Sequence, residues 1–282
     1  MRANNLTISI PNVGCNKNCP YCISKMTGYI NPEEPAVSKL VKMIYKVNKV
    51  KQLATTSGVT SVLLTSKGEP LLYMEAVKIF LSTFKHFITE LQTNGLSLTE
   101  SIIKTLSENL DVLSISIDEF TDLNKLIPIL EYIHNNDIGI IVRLTYNITK
   151  WDNLTLFYDM VNFCKTYNVK QLTFRRITIP EFGIVDTEEA KNAVKYIKEK
   201  IPEDEVNKFF TFLEQKLSSS KQNSELVFET EIGKIYDYDG ISIMTINNCI
   251  QNRAKDDMVR SLIFKEDGHL YTSWNSNASI LL

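Results

Sequence analysis

The chain reads Cys15-Asn16-Lys17-Asn18-Cys19-Pro20-Tyr21-Cys22 directly after its first strand-like segment. Three thiolates this close together can bind three corners of one small metal cluster. A 4Fe–4S cluster has four irons and is usually held by four cysteines, so three ligands leave one iron open to a non-protein ligand. A zinc site would need a fourth Cys or His nearby, whereas the next cysteine is Cys164. The run therefore favours an iron–sulfur cluster over zinc.

Composition and charge are those of an ordinary globular protein. The 282 residues are 44% hydrophobic, and 31 basic residues nearly balance 33 acidic ones. This balance argues against bulk binding of nucleic acid or anionic membranes. Five cysteines, three of them bunched, fit a reducing compartment, and no apolar run is long enough to cross a bilayer. Because no apolar leader follows Met1, we expect a cytoplasmic protein without membrane contact.

Short β-prone runs alternate with segments of helical periodicity, which is typical of βα units around a parallel sheet. Since six units fall short of the eight in a closed barrel, we expect an α/β fold with a partial (β/α)6 TIM-type barrel over residues 1–180. The predicted strands are Leu6–Pro11, Ser61–Ser66, Ile88–Thr93, Val112–Asp118, Gly139–Asn147 and Gln171–Ile177. The predicted helices are Glu34–Leu53, Glu75–His86, Thr99–Asn109, Asp122–Asn135 and Asn153–Tyr167. The first helix is predicted to bury Ala36, Leu40, Val41, Ile44 and Val47.

The pattern changes after Pro180, and residues 181–282 are predicted to form a C-terminal α+β appendage. Two helices are expected near Glu188–Lys200 and Asp204–Leu217, followed by a polar loop at 218–224. Asp239-Gly240 and Asp267-Gly268 each stand between β-prone runs, which predicts two hairpins. We expect these hairpins, at about 230–275, to close part of the barrel mouth.

Polar residues alternate with apolar ones along four predicted strands, although buried parallel strands are usually apolar throughout. The apolar faces must pack against helices, so the polar faces are predicted to line the barrel lumen as a site for a polar ligand. The alternative is a set of edge strands, each with one solvated face. The polar set comprises Glu90, Gln92, Asn94, Ser114, Ser116, Asp118, Arg143, Thr145, Asn147, Thr173 and Arg175.

The cysteine spacing, with Tyr21 before the last cysteine, resembles the signature of the radical S-adenosylmethionine (SAM) enzymes. The run Ser66-Lys67-Gly68-Glu69-Pro70 resembles the Gly-Gly-Glu-Pro motif of that family, although Lys67 stands where the family has its first glycine. Thr93-Asn94-Gly95 matches the turn that ends the third strand in many members.

This resemblance implies that Cys15, Cys19 and Cys22 hold one oxygen-sensitive 4Fe–4S cluster and that SAM chelates its open iron. It also implies that a reduced cluster passes an electron, from a donor such as flavodoxin or ferredoxin, to SAM. SAM then breaks into methionine and a 5′-deoxyadenosyl radical, which removes a hydrogen atom from the substrate. The residues implied to contact SAM are Gly68, Glu69, Pro70, Thr93, Asn94, Ser116 and Asp118.

The arginine that many members use for the SAM carboxylate is missing after the fourth strand, where only Lys125 stands. Arg143 is therefore the substitute candidate. Arg175 or Arg176, together with Asn147, could bind SAM or a substrate anion, since arginine pairs well with carboxylate or phosphate. For either of these two arginines, an ordinary surface salt bridge is the competing interpretation.

The polar lumen favours a small polar or anionic substrate, including a nucleotide-like one. Two alternatives stay open: a peptide or protein substrate, as in peptide maturases and glycyl-radical activases, and a non-catalytic iron–sulfur protein. Many peptide-modifying relatives carry auxiliary clusters, whereas Cys164 and Cys249 are too few to hold one. We therefore expect a single cluster and no auxiliary cluster in the C-terminal region.

Overall fold

The computed structural model describes residues 1–29, 32–149, 155–219, 224–229, 233–247, 258–274 and 276–282. The strands are β1 (Arg2–Ile10), β2 (Ser61–Ser66), β3 (Ile88–Thr93), β4 (Val112–Ile117), β5 (Ile141–Ile148), β6 (Gln171–Arg176), β7 (Ser224–Glu229), β8 (Gly233–Tyr238), β9 (Ile241–Ile246), β10 (Met258–Phe264) and β11 (Leu270–Tyr271). The helices are α1 (Ile23–Thr27), α2 (Ala36–Thr56), α3 (Met74–Phe84), α4 (Glu100–Leu106), α5 (Ile127–Asn135), α6 (Thr155–Thr166), α7 (Glu188–Lys200) and α8 (Glu203–Ser219). Single 3₁₀ segments stand at Pro70–Tyr73, Phe120–Lys125 and Asn277–Ser279.

All of these strands belong to one open sheet, in the order β11-β10-β1-β2-β3-β4-β5-β6-β9-β8-β7. Strands β1 to β6 are parallel and neighbour each other in chain order. The α/β class and the partial barrel are therefore confirmed. Each of the six predicted barrel strands is present, and β2 and β3 have the predicted bounds.

The strands of the C-terminal region extend both edges of the six-stranded sheet. β10 pairs in parallel with β1, and β9 pairs in parallel with β6. The predicted hairpin at Asp239-Gly240 joins β8 to β9, with φ of 57° and 81° at the two turn residues. In the turn between β10 and β11, only Gly268 of the pair Asp267-Gly268 has a positive φ. A domain boundary at residue 180 and closure of the barrel mouth stay predictions, and part of the polar loop at 218–224 lies outside the described residues.

The apolar faces of the strands pack against the helices, as the alternating pattern predicts. Ile8 and Leu64 are fully buried, and Phe264 of β10 meets Phe80 of α3 edge to face, with ring centroids 6.4 Å apart. The opposite faces are polar and are buried, as at Ser114 and Thr145, or half-buried, as at Ser116. In the described ranges, every helix is too short or too polar to traverse a lipid bilayer.

The buried face of α2 differs from the prediction. Val41 and Ile44 are 61% and 42% exposed, and the helix buries Lys39 and Met43 in their place. Lys39 points inward because its ammonium group pairs with the fully buried carboxylate of Glu266, at 3.2 Å.

Candidate functional site

The three clustered cysteines lie on the loop that follows β1, at the carboxyl ends of the parallel strands. Cys15 is exposed, Cys19 and Cys22 are half-buried, and all three are free thiols. Cys22 is the N-cap residue of α1, and its backbone N–H donates to the carbonyl of Cys19 at 3.3 Å. The ammonium group of Lys25 donates to the same carbonyl at 3.0 Å. The loop therefore presents three thiols from a backbone that α1 holds in place.

The Gly-Glu-Pro segment packs directly against this loop. The backbone N–H of Glu69 donates to the carbonyl of Gly14 at 2.9 Å. A Cβ atom on Gly68 would lie 2.0 Å from that carbonyl oxygen and 2.1 Å from Oδ1 of Asn12. Only glycine permits so close an approach of two backbone segments. The two motifs of the sequence thus form one unit at the ends of β1 and β2.

Glu69 connects this unit to the Thr93-Asn94 turn. Its Oε1 accepts a 2.6 Å hydrogen bond from the Thr93 hydroxyl, and its Oε2 accepts a 2.8 Å bond from the Asn94 backbone N–H. Burial raises the pKa of Glu69, and these hydrogen bonds offset only part of that effect. The Asn94 side-chain amide lies 3.8 Å from the Cys15 sulfur and 2.7 Å from the Asn16 side-chain oxygen. Residues that the sequence predicts from three separate loops therefore meet at the cysteines.

Asp118, at the end of β4, lies on the other side of the cysteine loop. Its carboxylate accepts hydrogen bonds from Lys17, at 2.5 Å, and from the Asn147 amide, at 2.9 Å. Burial alone would raise the pKa of Asp118, but these hydrogen bonds outweigh it and lower the pKa. The Cys19 sulfur lies 4.0 Å from the same carboxylate. Burial and this negative charge raise the pKa of the Cys19 thiol to about 11, so metal binding there must displace a proton.

Lys17 is the functional candidate that the sequence reasoning missed. It stands inside the cysteine run, but its partner Asp118 follows a strand about a hundred positions later. The available signal was the position of Asp118 at the carboxyl end of a predicted strand, which is the end where the cysteine loop also lies. A cation within the loop is the natural partner for that carboxylate.

Arg143 lies apart from this group, and its role as the substitute arginine stays a prediction that its present contacts do not favour. Its guanidinium donates to Glu90 at 2.6 Å and to Gln171 at 2.7 Å. Arg143 is the third residue of β5 and Asn147 the seventh, so about 13 Å separates them along the strand. The arginine lies toward the amino ends of the strands, away from the cysteine loop, and its Nε and Nη1 already donate to Gln171 and Glu90.

Two other predicted arginines occupy different faces. Arg175 lies on the lumen face next to Asn147 in the register of β5 and β6, and its buried Nε has no hydrogen-bond partner among the described residues. Arg176 instead bonds Asn207 of α8 at 2.5 Å and stacks over Phe210 at 5.2 Å. Arg176 is thus engaged with α8, whereas the Nε of Arg175 has no partner among the described residues.

The remaining predicted positions in the described residues lie on β4, on a 3₁₀ segment and on α6. Ser116 is half-buried on the lumen face of β4, opposite Thr145 of β5, and Pro70 is buried at the start of a 3₁₀ segment. Cys164 is fully buried in α6, and burial raises the pKa of its thiol to about 12, as for a packed core cysteine. Cys249 lies outside the described residues.

The residues present fit a 4Fe–4S cluster with bound SAM. Three free thiols stand on one loop, and the glycine backbone of the Gly-Glu-Pro segment touches that loop without a side chain between them. The Glu69 carboxylate accepts three hydrogen bonds, from Leu71, Thr93 and Asn94. Because a carboxylate offers about four acceptor positions, it can accept one more. An ammonium group such as that of SAM is a suitable donor.

Comparison with known proteins gives the same assignment. The family model of the Radical SAM superfamily matches residues 9–213. No curated protein matches the chain. Streptococcus suis SuiB bound to S-adenosylmethionine is 14% identical with a TM-score of 0.64, and the match covers 99% of this chain and 63% of SuiB. SuiB bound to its precursor peptide SuiA is 14% identical with a TM-score of 0.61, over 96% of this chain and 59% of SuiB.

A third neighbour is anSMEcpe with bound AdoMet and the Cp18Cys peptide, at 18% identity and a TM-score of 0.52, over 98% of this chain and 75% of that protein. At such identities the likeness concerns the fold, and the chain spans only about three fifths of the length of SuiB, from 59% to 63%. The family match is independent of these neighbours and covers well over half of the 282 residues. The chain therefore belongs to the radical SAM superfamily.

Proposed function

We propose that this chain is a radical SAM enzyme that holds a single 4Fe–4S cluster on Cys15, Cys19 and Cys22, cleaves SAM reductively there, and abstracts a hydrogen atom from a small polar or anionic substrate. When bound and reduced by a donor such as flavodoxin or ferredoxin, the cluster and SAM supply the 5′-deoxyadenosyl radical. The observation that carries this proposal is the connected path from Glu69, through Asn94, to the Cys15 sulfur. It brings the proposed SAM contacts to the proposed cluster ligands.

In this scheme, the residues of the chain bind SAM and orient it at the cluster. Glu69 accepts hydrogen bonds from Thr93 and from the Asn94 backbone, which fixes the turn beside the cysteine loop. We assign the ammonium group of SAM to the carboxylate of Glu69 and the neighbouring backbone of Gly68. Asp118, kept ionised by its hydrogen bonds, is suited to accept the hydroxyl groups of a ribose, with Ser116 beside it on the same strand.

The character of the lumen supports a small polar or anionic substrate, with a nucleotide-like one included. Polar side chains on neighbouring strands face each other there, as Ser114 and Thr145 do at 3.3 Å. The Nε of Arg175 is buried and without a hydrogen-bond partner among the described residues, and a buried donor of this kind calls for a ligand or water. Arg175 is therefore the residue we assign to the substrate, with Asn147 next to it.

A peptide substrate is the second candidate, favoured by one feature of the sheet. β7 is an edge strand, and its residues Leu226, Val227 and Phe228 are 49%, 62% and 60% exposed. An exposed edge strand can add an extended peptide through main-chain hydrogen bonds. SuiB with its precursor peptide and anSMEcpe with the Cp18Cys peptide are both neighbours in fold.

The test of the proposed function is anaerobic SAM cleavage. Protein reconstituted with iron and sulfide is incubated with SAM and dithionite, and 5′-deoxyadenosine is measured by chromatography. We expect product from the intact protein and none from Cys19→Ala. Stimulation of product formation by small organic acids or nucleotides, compared with extended peptides, then separates the two substrate classes. Absence of product from a protein with a complete, reducible cluster, with either class present, would favour a non-catalytic iron–sulfur protein.

A further inference from the structure

We propose that Lys67 and Lys265, with the hydroxyl of Ser9 beside them, form a subsite that binds an oxyanion group of the substrate, either a carboxylate or a phosphate. The inference rests on the proposed function, because it names the chemistry of the substrate that the lumen takes. It assigns a role to Lys67, the residue that replaces the first glycine of the family motif.

The topology brings these residues to one part of the lumen wall. In the sheet order, β1 lies between β10 and β2. Ser9 pairs with Thr65 of β2, and Lys265 follows Phe264, which pairs with Ile8. Because side chains alternate along a strand, Lys265 and Ser9 face the side opposite to Phe264 and Ile8, which pack on the helices. Lysine and hydroxyl therefore lie on the lumen face, at the carboxyl ends of the strands.

Lys67 reaches the same region from the end of β2. Its ammonium group donates to the Thr27 hydroxyl of α1 at 2.5 Å. Burial and repulsion by Lys265 lower the pKa of Lys67 to about 8, and the negative charge of Glu266 offsets only part of this effect. Burial also lowers the pKa of Lys265. Two like charges held together at a half-buried site are stabilised by an anion placed between them.

In the part of the chain that the structure describes, no carboxylate is in direct contact with the ammonium group of either lysine. Lys265 is 3% exposed, and its ammonium group donates to the Trp274 carbonyl at 2.9 Å and lies 3.9 Å from the centre of the Tyr271 ring. Among the described residues, neither Lys67 nor Lys265 forms an ion pair within 4.0 Å. A buried charge without a paired charge is costly, and the cost is removed when an oxyanion binds.

Two carboxylates attract these lysines without touching them, Glu266 acting on Lys67 and Asp267 acting on Lys265. Oε2 of Glu266 accepts from Lys39 at 3.2 Å and from the Asn12 backbone N–H at 2.9 Å, while Oε1 has no partner among the described residues. Lys39 therefore offsets Glu266. Asp267, which also accepts the Tyr271 hydroxyl at 2.8 Å, is left as the one carboxylate against two lysines, so one positive charge remains in excess.

The hydroxyl of Ser9 is a second, independent sign of a missing ligand. Ser9 is fully buried, and within the described ranges its Oγ has no hydrogen-bond partner. A buried hydroxyl is nearly always hydrogen-bonded in native proteins. A carboxylate or phosphate oxygen held by the two lysines would accept this hydrogen bond.

The position assigns the anion to the substrate rather than to SAM. The proposed SAM contacts run from Glu69 at the end of β2 to Asp118 at the end of β4, whereas Lys265 lies beyond β1 on the other side. A substrate anchored at Lys265 would extend its remaining atoms across the lumen toward the proposed SAM site. Such a molecule has an acidic group at one end and its reactive C–H bond at the other.

Inorganic phosphate is a suitable probe, titrated by calorimetry into anaerobically reconstituted protein that has been saturated with SAM. We expect saturable binding that Lys265→Met and Lys67→Met weaken by at least about tenfold, because each removes a charge-assisted hydrogen bond. Lys67→Arg should retain binding, which guards against a loss caused by misfolding. Lys49→Met, at an exposed position of α2, is the matched control and should bind phosphate like the parent protein.

Three results would overturn the inference: no saturable phosphate binding, an equal loss in Lys49→Met, or an equal loss of SAM affinity in Lys265→Met. The last result would assign the anion site to the SAM carboxylate. SAM cleavage measured on the same preparations tests the proposed function separately. Phosphate binding without SAM cleavage would sink the proposed function, whereas SAM cleavage without phosphate binding would sink only this subsite.

Discussion

The carboxylate of Glu69 and the hydroxyl of Thr93 form a 2.6 Å hydrogen bond between the ends of β2 and β3. The same carboxylate accepts the backbone N–H groups of Leu71 and Asn94, at 3.1 Å and 2.8 Å. One buried side chain therefore fixes the turn whose Asn94 amide lies beside the Cys15 sulfur. This arrangement makes Glu69 important both for the fold and for the proposed SAM site.

Glu69→Gln places an amide NH₂ group where only acceptors fit. The substitution sets a donor against the backbone N–H of either Leu71 or Asn94, so we expect a loss of about 1–3 kcal/mol in the free energy of unfolding. We also expect SAM affinity to fall. Urea denaturation and equilibrium dialysis measure the two effects. Glu75→Gln, at an exposed position of α3, is the control, and equal behaviour of the two variants would contradict this role.

Gly68→Ala tests the contact between the two motifs. The added Cβ would lie 2.0 Å from the Gly14 carbonyl oxygen, so one of the two backbone segments must move. We expect the variant to lose most of its reconstituted iron. Gly139→Ala adds a Cβ into open space and should retain iron like the parent. Full iron retention by Gly68→Ala would mean that the loop can shift without harming the cluster site.

Substitution of the cysteines separates ligands from packed thiols. Cys19→Ala should reduce iron and sulfide far below about four of each per chain, because it removes one of the three proposed ligands. Cys164→Ala should keep a full cluster and lose only packing, because that thiol is buried inside α6. Metal and sulfide analysis of both proteins provides the measurement. A full cluster in Cys19→Ala would refute the assignment of this ligand.

The pKa of Lys67 should lie well below that of an ordinary lysine. Burial and the charge of Lys265 lower its pKa from 10.5 to about 8. Between these two pKa values, the unfolded chain binds more protons at Lys67 than the folded chain does. The contribution of Lys67 to the free energy of unfolding therefore rises with pH from about 8 to about 10.5. NMR titration of ¹³C-methylated lysines, with the signal assigned through Lys67→Arg, measures the pKa directly. A value near 10.5 would show that the ammonium group is solvated.

Arg143→Met should affect stability and leave SAM affinity unchanged. The substitution deprives Glu90 and Gln171 of their donor, so we expect a loss of about 1–3 kcal/mol in unfolding free energy. Asp118→Asn is the contrasting variant and should weaken SAM binding. Equilibrium dialysis with labelled SAM distinguishes the two. A large loss of SAM affinity in Arg143→Met would instead support the contact with SAM predicted from the sequence.

Local patterns predicted much of this molecule. The cysteine spacing and the Gly-Glu-Pro run each lie within a few residues, and strict alternation predicted the two faces of β4 and β5. The alternation of polar and apolar residues assigns each side chain to a face of the sheet. It does not predict which end of the strand carries the side chains that meet the cysteine loop. Arg143 and Asn147 share a face of β5, yet only Asn147 reaches the cysteine end of the barrel.

Contacts between distant parts of the chain could not be predicted in this way. The pairing of β10 with β1 joins the two ends of the sequence, and no local pattern specifies it. The same pairing positions Glu266, which lies 227 positions from its partner Lys39 and turns α2 away from its expected buried face. The neighbourhood of Lys67 and Lys265 also depends on this pairing.

The most direct test of the account is electron paramagnetic resonance of the reduced, reconstituted protein before and after addition of SAM. If Cys15, Cys19 and Cys22 hold a cluster with one open iron, SAM will bind that iron and change the signal. We predict a shifted spectrum in the parent protein and a much weaker response in Glu69→Gln. A fully reduced 4Fe–4S signal that SAM leaves unchanged would contradict the account.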